Sequence, residues 1–184
     1  MSEDGEPPSP APPRGKTPRR PRATGLRRST LHLDARGRAR MVDVGGKATT
    51  RRRAVARGRV RMGRVAFDAL AEGRLSKGDA LAVARLAGIL AAKKTPEIVP
   101  LAHPIALESV VVECRLEAKT REVVVTATVS TSARTGVEME ALTGVAGACL
   151  ALYDMAKALD RGIEIREIVL LEKTGGRSGP YRRG

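Results

Sequence analysis

The stretch SVVVECRLE at residues 109–117, followed by AKTR at 118–121 and EVVVTATVST at 122–131, decides the fold class. Both outer segments are rich in β-branched residues, which favour the pleated and half-buried surface of a strand. A short connection separates them, so the pattern predicts an antiparallel β-hairpin. This hairpin supplies two strands of the predicted sheet.

Helices and further strands flank the hairpin. Apolar residues at helical spacing predict helices over 67–71, 78–94 and 138–159. Alternating patterns predict strands over 49–62 and 163–171. The order strand, helices, hairpin, helix, strand predicts an α+β fold, in which an antiparallel sheet carries two long helices on one face. A ferredoxin-like plait is the expected topology.

The beginning of the chain has a different composition. Seven of the first 21 residues are proline, interleaved with basic and small residues. Such a segment buries too little apolar surface to offset its ordering entropy, so we expect a disordered tail over 1–28. A short strand is expected at 31–34. The folded domain should therefore span 29–184 and end in a flexible, glycine-rich loop.

The net charge of +14 suggests a nucleic-acid partner, but +12 of it lies in residues 1–62. Aromatic residues are limited to Phe67, Tyr153 and Tyr181, too few for a base-stacking surface. We therefore expect no specific nucleic-acid binding, and a basic RNA-binding accessory protein is kept as the alternative. A polyanion-binding tail is a second option for residues 1–28.

Several classes of protein are disfavoured. No apolar run approaches the roughly 20 residues of a membrane-spanning helix, and the acidic, Pro-rich start is unlike a secretory signal. We expect a cytoplasmic protein with no membrane partner.

Cys114 and Cys149 are 35 residues apart outside any CxxC, which indicates two free, buried thiols. With His103 as the one well-placed imidazole, no metal site is expected.

Three groups of residues could carry acid–base chemistry. His103 lies in the rigid segment PLAHP, and a fixed imidazole suits proton transfer near neutral pH; an ordinary loop histidine is equally compatible. Glu138 and Glu140 open the second long helix, where the helix dipole alone would explain one of them. Their apolar neighbours favour partial burial, which raises a carboxyl pKa. Asp154 and Lys157 share a helix face, either as a surface ion pair or as a partly buried one.

Two segments are candidate phosphate sites. Lys77-Gly78-Asp79 opens the first long helix, where backbone N–H groups favour anions. The segment KTGGRSG at 173–179 is basic and glycine-rich, which suits backbone approach to phosphate. The run 51–53 of three arginines adds positive charge.

These groups cannot meet within one straight helix. Glu140 and Asp154 are fourteen residues apart, which corresponds to about 21 Å at the helical rise. A loop that folds back, a long substrate or a second subunit could reconcile them. We favour the second subunit, which predicts an oligomer with sites at subunit interfaces.

Seven short motifs follow one another along the chain: MVDV (41–44), KGD (77–79), ARLAGI (84–89), AAK (91–93), PLAHP (100–104), TGVEMEALT (135–143) and YDM (153–155). Together they resemble the cyclic pyranopterin monophosphate synthases, the C proteins of molybdenum-cofactor biosynthesis. The resemblance covers about residues 30–180, and TGVEMEALT with a downstream YDM is its most specific part.

The resemblance implies a lyase that converts 3′,8-cyclo-7,8-dihydro-GTP into cyclic pyranopterin monophosphate and pyrophosphate. It implies a ferredoxin-like fold and a homohexamer, a trimer of dimers with pockets at the dimer interface. No cofactor is implied, and magnesium accompanying the triphosphate is left open. The implied catalytic residues are Asp154, Lys77 and Lys157. The implied substrate-binding residues are Leu101, Ala102, His103, Glu138, Met139, Glu140, Arg52 and Lys173.

The sequence departs from the family pattern at two points. Ala102 stands where cysteine is usual, so no thiol chemistry is expected there. Arg177 stands where lysine is common, which keeps the charge. Every charged residue that the resemblance implies is present, which disfavours a scaffold that has lost catalysis.

Overall fold

The computed structural model describes residues 36–184. The predicted tail over 1–28 and the predicted strand at 31–34 lie outside these residues. The described chain forms nine elements, in the order β1 Thr50–Arg61, α1 Arg64–Ala71, α2 Ala80–Lys93, α3 Thr95–Ile98, β2 Ser109–Glu117, β3 Glu122–Ala133, α4 Glu138–Ala156, β4 Glu164–Thr174 and β5 Tyr181–Arg182.

The strands form one five-stranded sheet in the order β2-β3-β1-β4-β5, with every neighbouring pair antiparallel. The predicted hairpin is present, with Ser109 paired to Ser130 and Glu117 paired to Glu122. The α+β class and the antiparallel sheet are thus confirmed. The β-α-β-β-α-β succession of the main elements is compatible with the predicted ferredoxin-like topology.

One face of the sheet carries the core. Its central strands present small and β-branched side chains, and α4 packs against them. Gly58 of β1 makes room for this contact, because a Cβ there would lie 2.6 Å from Val145 Cγ1. The fully buried residues of this layer are Ala54, Ala56, Val60, Val123, Val125, Ala127, Val129, Val145, Ala148, Cys149 and Leu152.

Helices α2 and α4 cross at glycine and alanine positions. A Cβ on Gly88 would lie 2.9 Å from the Gly144 carbonyl oxygen, and a Cβ on Gly147 would lie 2.4 Å from Ala91 Cβ. The two backbones therefore approach closely, and both helices lie on the same face of the sheet. This arrangement fixes the direction of α4, whose two ends carry the candidate site residues.

Several boundaries differ from the prediction, and helix α1 begins at Arg64 rather than at 67. Helix α4 ends at Ala156 rather than at 159, and Leu159 is 49% exposed, so it does not continue the buried stripe. Strand β4 runs to Thr174 rather than to 171, because its last residues pair with β1 as far as Arg53. Helix α2 begins at Ala80, with Asp79 as its N-cap rather than in its first turn.

Two short elements were not predicted. Helix α3 is a single turn with Pro96 near its start, where a missing N–H costs nothing. Strand β5 pairs with the end of β4. Within the described part of the chain, no helix is long and apolar enough to cross a membrane.

Candidate active site

A small cavity of about 290 Å³ lies where the 41–47 segment, the PLAHP segment and the start of α4 meet. It brings together six of the predicted binding residues, which are far apart in sequence. Its lining is Val42, Val44, Lys47, Leu101, Ala102, His103, Ile105, Thr135, Gly136, Glu138, Met139 and Glu140.

His103 joins two walls of the small cavity. Its Nε2 lies 2.7 Å from the carbonyl oxygen of Val42. Because a carbonyl only accepts hydrogen bonds, Nε2 carries the proton and donates it to Val42. The Nε2 atom is therefore committed to holding the 41–47 segment, and only Nδ1 remains for other partners.

Glu140 is the most buried acid of this cavity, with 3% of its surface exposed. Its Oε2 atom has no hydrogen-bond partner among residues 36–184. Burial raises the pKa of the Glu140 carboxyl, and the neighbouring Glu138 carboxylate adds to the increase. The predicted partial burial is confirmed for Glu140, while the side chain of Glu138 is 31% exposed.

A larger cavity of about 890 Å³ adjoins the small one and shares Val42, Lys47, Thr135, Gly136 and Glu138 as walls. Its lining holds more cations than anions, so it favours an anionic ligand. The cations are Lys47, Arg52, Arg134, Lys173 and Arg177, and the acids are Asp43 and Glu138.

Arg52 is held rigidly in this larger cavity. It is 9% exposed, and its guanidinium donates to the carbonyl oxygens of Ala133 and Arg134, each at 3.2 Å. Gly176 lies directly against it with φ +83°, and a Cβ there would lie 1.7 Å from Arg52 Nη1. The glycine of the C-terminal loop thus allows the backbone to approach the guanidinium.

Lys173 lies in register with Ala54 on the sheet face that carries the core. Its ammonium donates to Ser178 Oγ and lies 3.9 Å from Glu138 Oε1. Glu138 in turn folds back over Gly136, where a Cβ would collide with the carboxylate. Lys173 and Arg52 therefore belong to one cationic site with Glu138 at its edge.

A second group of residues lies at the other end of α4. Asp154 accepts hydrogen bonds from Lys77 Nζ and pairs with Lys157 Nζ, each at 2.7 Å. Lys77 Nζ also donates to the Asp154 carbonyl oxygen at 3.0 Å. Hydrogen bonds from Lys157 and Lys77 lower the pKa of Asp154 to about 2, and the same contact raises the pKa of Lys157. Asp154 is therefore a carboxylate at neutral pH that holds two ammonium groups side by side.

At the start of α2, where the sequence predicts an anion site, the Asp79 carboxylate already engages two of the backbone donors. Asp79 Oδ1 accepts hydrogen bonds from the backbone N–H groups of Leu81 and Ala82, each at 2.9 Å. Those donors are the ones that an anion would need. Lys77 is likewise engaged, through Asp154.

The structure thus separates the predicted residues into two places. Leu101 to His103, Glu138 to Glu140, Arg52 and Lys173 surround the two adjoining cavities. Lys77, Asp154 and Lys157 lie at the far end of α4, about 21 Å away along the helix axis. The single chain leaves these two groups apart.

Several further lining residues were not predicted as binding residues, and among them are three with polar side chains next to the predicted ones. Lys47 follows Gly45-Gly46, Arg134 follows β3, and Thr135 precedes α4. Thr135 belongs to the TGVEMEALT motif, so its position was a usable signal. The sequence contains no comparable indication for Lys47. Its position in the cavity wall depends on the contact between His103 and Val42.

Metal ions and reactive thiols each depend on particular groupings of side chains. Residues 36–184 hold no group of three His, Cys, Asp or Glu side chains arranged for a metal ion. Cys114 is half-buried and Cys149 buried, both as free thiols. Burial raises the pKa of the Cys149 thiol to about 12, so it is not a ready nucleophile.

Comparisons with known proteins identify relatives over most of the chain. The model of the MoaC family matches residues 41–176. A protein of Roseiflexus sp. (strain RS-1) is 55% identical over 150 residues, which cover 82% of this chain and 95% of the relative. One from Thermomicrobium roseum is 56% identical over 152 residues, covering 83% and 92%. One from Parvibaculum lavamentivorans is 54% identical over 151 residues, covering 82% and 94%. All three are named cyclic pyranopterin monophosphate synthase.

Proposed function

The chain belongs to the MoaC family, and from this premise we propose that it acts as a cyclic pyranopterin monophosphate synthase, a lyase of molybdenum-cofactor biosynthesis. The observation that carries the proposal is the family match itself. It spans residues 41–176 and therefore includes every predicted site residue.

The proposed substrate is 3′,8-cyclo-7,8-dihydro-GTP, and the products are cyclic pyranopterin monophosphate and pyrophosphate. The two adjoining cavities support this assignment. The cationic larger cavity suits the triphosphate. The small cavity, with its buried Glu140 carboxyl, suits a polar ring system of modest size.

The phosphate step needs no covalent bond between protein and substrate, and the protein contributes by positioning the phosphates and stabilising charge. A sugar hydroxyl attacks the α-phosphorus and gives up its proton, the bond to the bridging oxygen of the β-phosphate breaks, and pyrophosphate leaves with that proton. Negative charge develops on the leaving group, and fixed cations stabilise it. Arg52 is pinned by two carbonyl oxygens and Lys173 by Ser178, so both are preorganised for this task.

The ring step needs proton donors and acceptors, and we assign it to the cluster at the far end of α4. Since Asp154 is ionised at rest, it cannot be the first proton donor. Its role is to hold Lys77 and Lys157 together and to balance their charge. An ammonium group of one of these lysines donates the first proton.

The two groups of residues require an explanation of how they meet. We propose that a second copy of the chain completes each site, in a hexamer built as a trimer of dimers. The separation of about 21 Å along α4 supports this arrangement. Exposed apolar side chains on α2, namely Val83, Leu86 and Leu90, offer surface for contact between copies.

We propose that the enzyme is cytoplasmic and that its substrate is a small molecule. The alternative of an RNA-binding accessory protein finds no support among the relatives.

The decisive experiment supplies the purified protein with the cyclised nucleotide and measures release of pyrophosphate together with formation of the cyclic phosphate. We expect Asp154→Ala and Lys77→Ala to lower kcat by about a hundredfold or more, the scale of a lost acid–base group. Lys119→Ala, in the hairpin turn, is the matched control and should retain activity. Near-normal turnover by Asp154→Ala with an intact fold would exclude the proposed catalytic role.

A further inference from the structure

We infer that Lys47 binds the α-phosphate of the substrate, the one phosphate that remains in the product. The inference rests on the proposed function and adds a binding residue together with a division of labour among the cations of the site.

The location of Lys47 is the first argument. It lines both the small and the larger cavity, as Glu138 does. Arg52 and Lys173 line the larger cavity only. A ligand with its ring in one cavity and its phosphate chain in the other must cross the shared wall, and the first phosphate lies at that crossing.

The free ammonium group is the second argument. Within residues 36–184 no side-chain hydrogen bond or ion pair engages Lys47, although the residue is half-buried. Among the other cations of the larger cavity, Lys173 donates to Ser178 and Arg52 donates to two carbonyl oxygens, while Arg134 and Arg177 are exposed to solvent. A half-buried ammonium with no partner gains most from an arriving anion.

The conformation of the loop is the third argument. Gly45 N–H donates to Asp43 Oδ1 at 2.7 Å, and Lys47 N–H donates to the Val44 carbonyl oxygen at 3.1 Å. The bond from His103 to the Val42 carbonyl oxygen attaches this turn to the wall of the small cavity. Lys47 therefore projects from a turn that is fixed at both ends, which lowers the entropic cost of ligand binding.

These positions assign different phosphates to different cations. When the bond between the α- and β-phosphates breaks, Lys47 stays with the cyclic monophosphate. Arg52 and Lys173 release pyrophosphate. Loss of Lys47 should therefore weaken binding of monophosphates, and loss of Lys173 should weaken binding of pyrophosphate.

The test measures inhibition of turnover by guanosine monophosphate and by inorganic pyrophosphate, together with KM, for wild-type protein, Lys47→Met and Lys173→Met. Methionine keeps the apolar stem and removes the charge. We expect Lys47→Met to raise the inhibition constant of the monophosphate about tenfold, as for one charged hydrogen bond, and that of pyrophosphate much less. Lys173→Met should show the opposite pattern, and Lys47→Arg should restore part of the monophosphate affinity.

The control is Lys119→Met, which should leave both constants unchanged. An unchanged monophosphate constant in Lys47→Met overturns the inference, and so does an equal loss for both ligands. Failure of wild-type protein to be inhibited by millimolar monophosphate overturns it as well. If the wild-type protein forms no cyclic phosphate at all, the proposed function fails instead, so the two failures are distinguishable.

Discussion

At the scale of single residues, Glu140 is the side chain whose environment is hardest to explain by folding alone. A buried carboxyl oxygen without a partner costs about 1–3 kcal/mol relative to a satisfied one. No residue within 36–184 donates a hydrogen bond to this oxygen, so the cost remains in the folded protein. A buried group of this kind at a cavity wall indicates a position kept for a ligand.

The pH dependence of stability tests this view of Glu140. Its pKa in the folded protein lies above the ordinary value of 4.5, so the folded state holds the proton more tightly than the unfolded state. Stability should therefore fall as pH rises through the interval between the two values. We expect the Tm of wild-type protein to fall from pH 4.5 upward, and that of Glu140→Gln to fall less.

Thermal unfolding of both proteins between pH 4.5 and 8 measures the difference. Glu113→Gln, an exposed acid on β2, is the matched control and should follow the wild-type curve. The same Glu140→Gln protein should lose about tenfold or more in kcat/KM, since an amide offers the ligand one acceptor oxygen where the carboxyl offers two. Parallel Tm curves for wild-type protein and Glu140→Gln would contradict the assignment.

The sequence allowed part of this residue-scale description to be predicted. The apolar residues Val137 and Met139 beside the two acids indicated partial burial, and Glu140 is buried in the structure. The missing partner of Glu140 and the free ammonium of Lys47 could not be predicted. Both follow from how the segments around the cavity are arranged. The bond between His103 and Val42, which are 61 residues apart, holds two of these segments together.

At the scale of elements, the glycine-rich segment after β4 is shaped by its contact with Arg52. Gly176 and Gly179 both have positive φ, at +83° and +68°. A Cβ on Gly176 would collide with the Arg52 guanidinium, whereas one on Gly179 would meet nothing within 4 Å. The two glycines share a backbone requirement, and only Gly176 also has a packing requirement.

This pair gives a controlled prediction. Gly176→Ala and Gly179→Ala should each lose about 1–3 kcal/mol of stability, because a side chain strains a left-handed residue. Only Gly176→Ala should also displace Arg52 and raise the inhibition constant of pyrophosphate, by about tenfold. Chemical denaturation and inhibition of turnover measure the two effects. Equal losses of pyrophosphate affinity in the two variants would show that backbone strain, and not the contact with Arg52, is responsible.

The elements themselves were largely predictable, because local patterns specify them. The hairpin and both long helices follow from β-branched runs and from helical spacing. Boundaries that depend on distant partners were missed. Strand β4 continues to Thr174 because β1 offers Arg53 as a partner, more than a hundred residues earlier. At the N-terminus of α2, Asp79 is the N-cap rather than a first-turn residue, and it engages two of the backbone donors that a phosphate would need.

At the scale of the whole molecule, α4 separates two sets of residues that one reaction should use together. The fourteen-residue spacing of Glu140 and Asp154 indicated this separation from the sequence, and the continuous helix Glu138–Ala156 maintains it. The spacing could not identify what brings the two sets together. In the proposed assembly, contact between copies of the chain brings them together, and local sequence patterns do not encode such a surface.

Mixing two inactive variants tests whether the sites are composite. Asp154→Ala removes the cluster at one end of α4, and Glu140→Ala removes the carboxyl at the other. If each site takes one end from each of two copies, random assembly of equal amounts leaves about a quarter of the sites intact, because each intact end is drawn with a chance of one half. We expect co-refolded mixtures to recover activity to that level. Lys77→Ala mixed with Asp154→Ala should recover none, since both changes affect the same end. Absence of recovery in the first mixture, with the oligomer confirmed by light scattering, would mean that one chain must supply both ends of its own site.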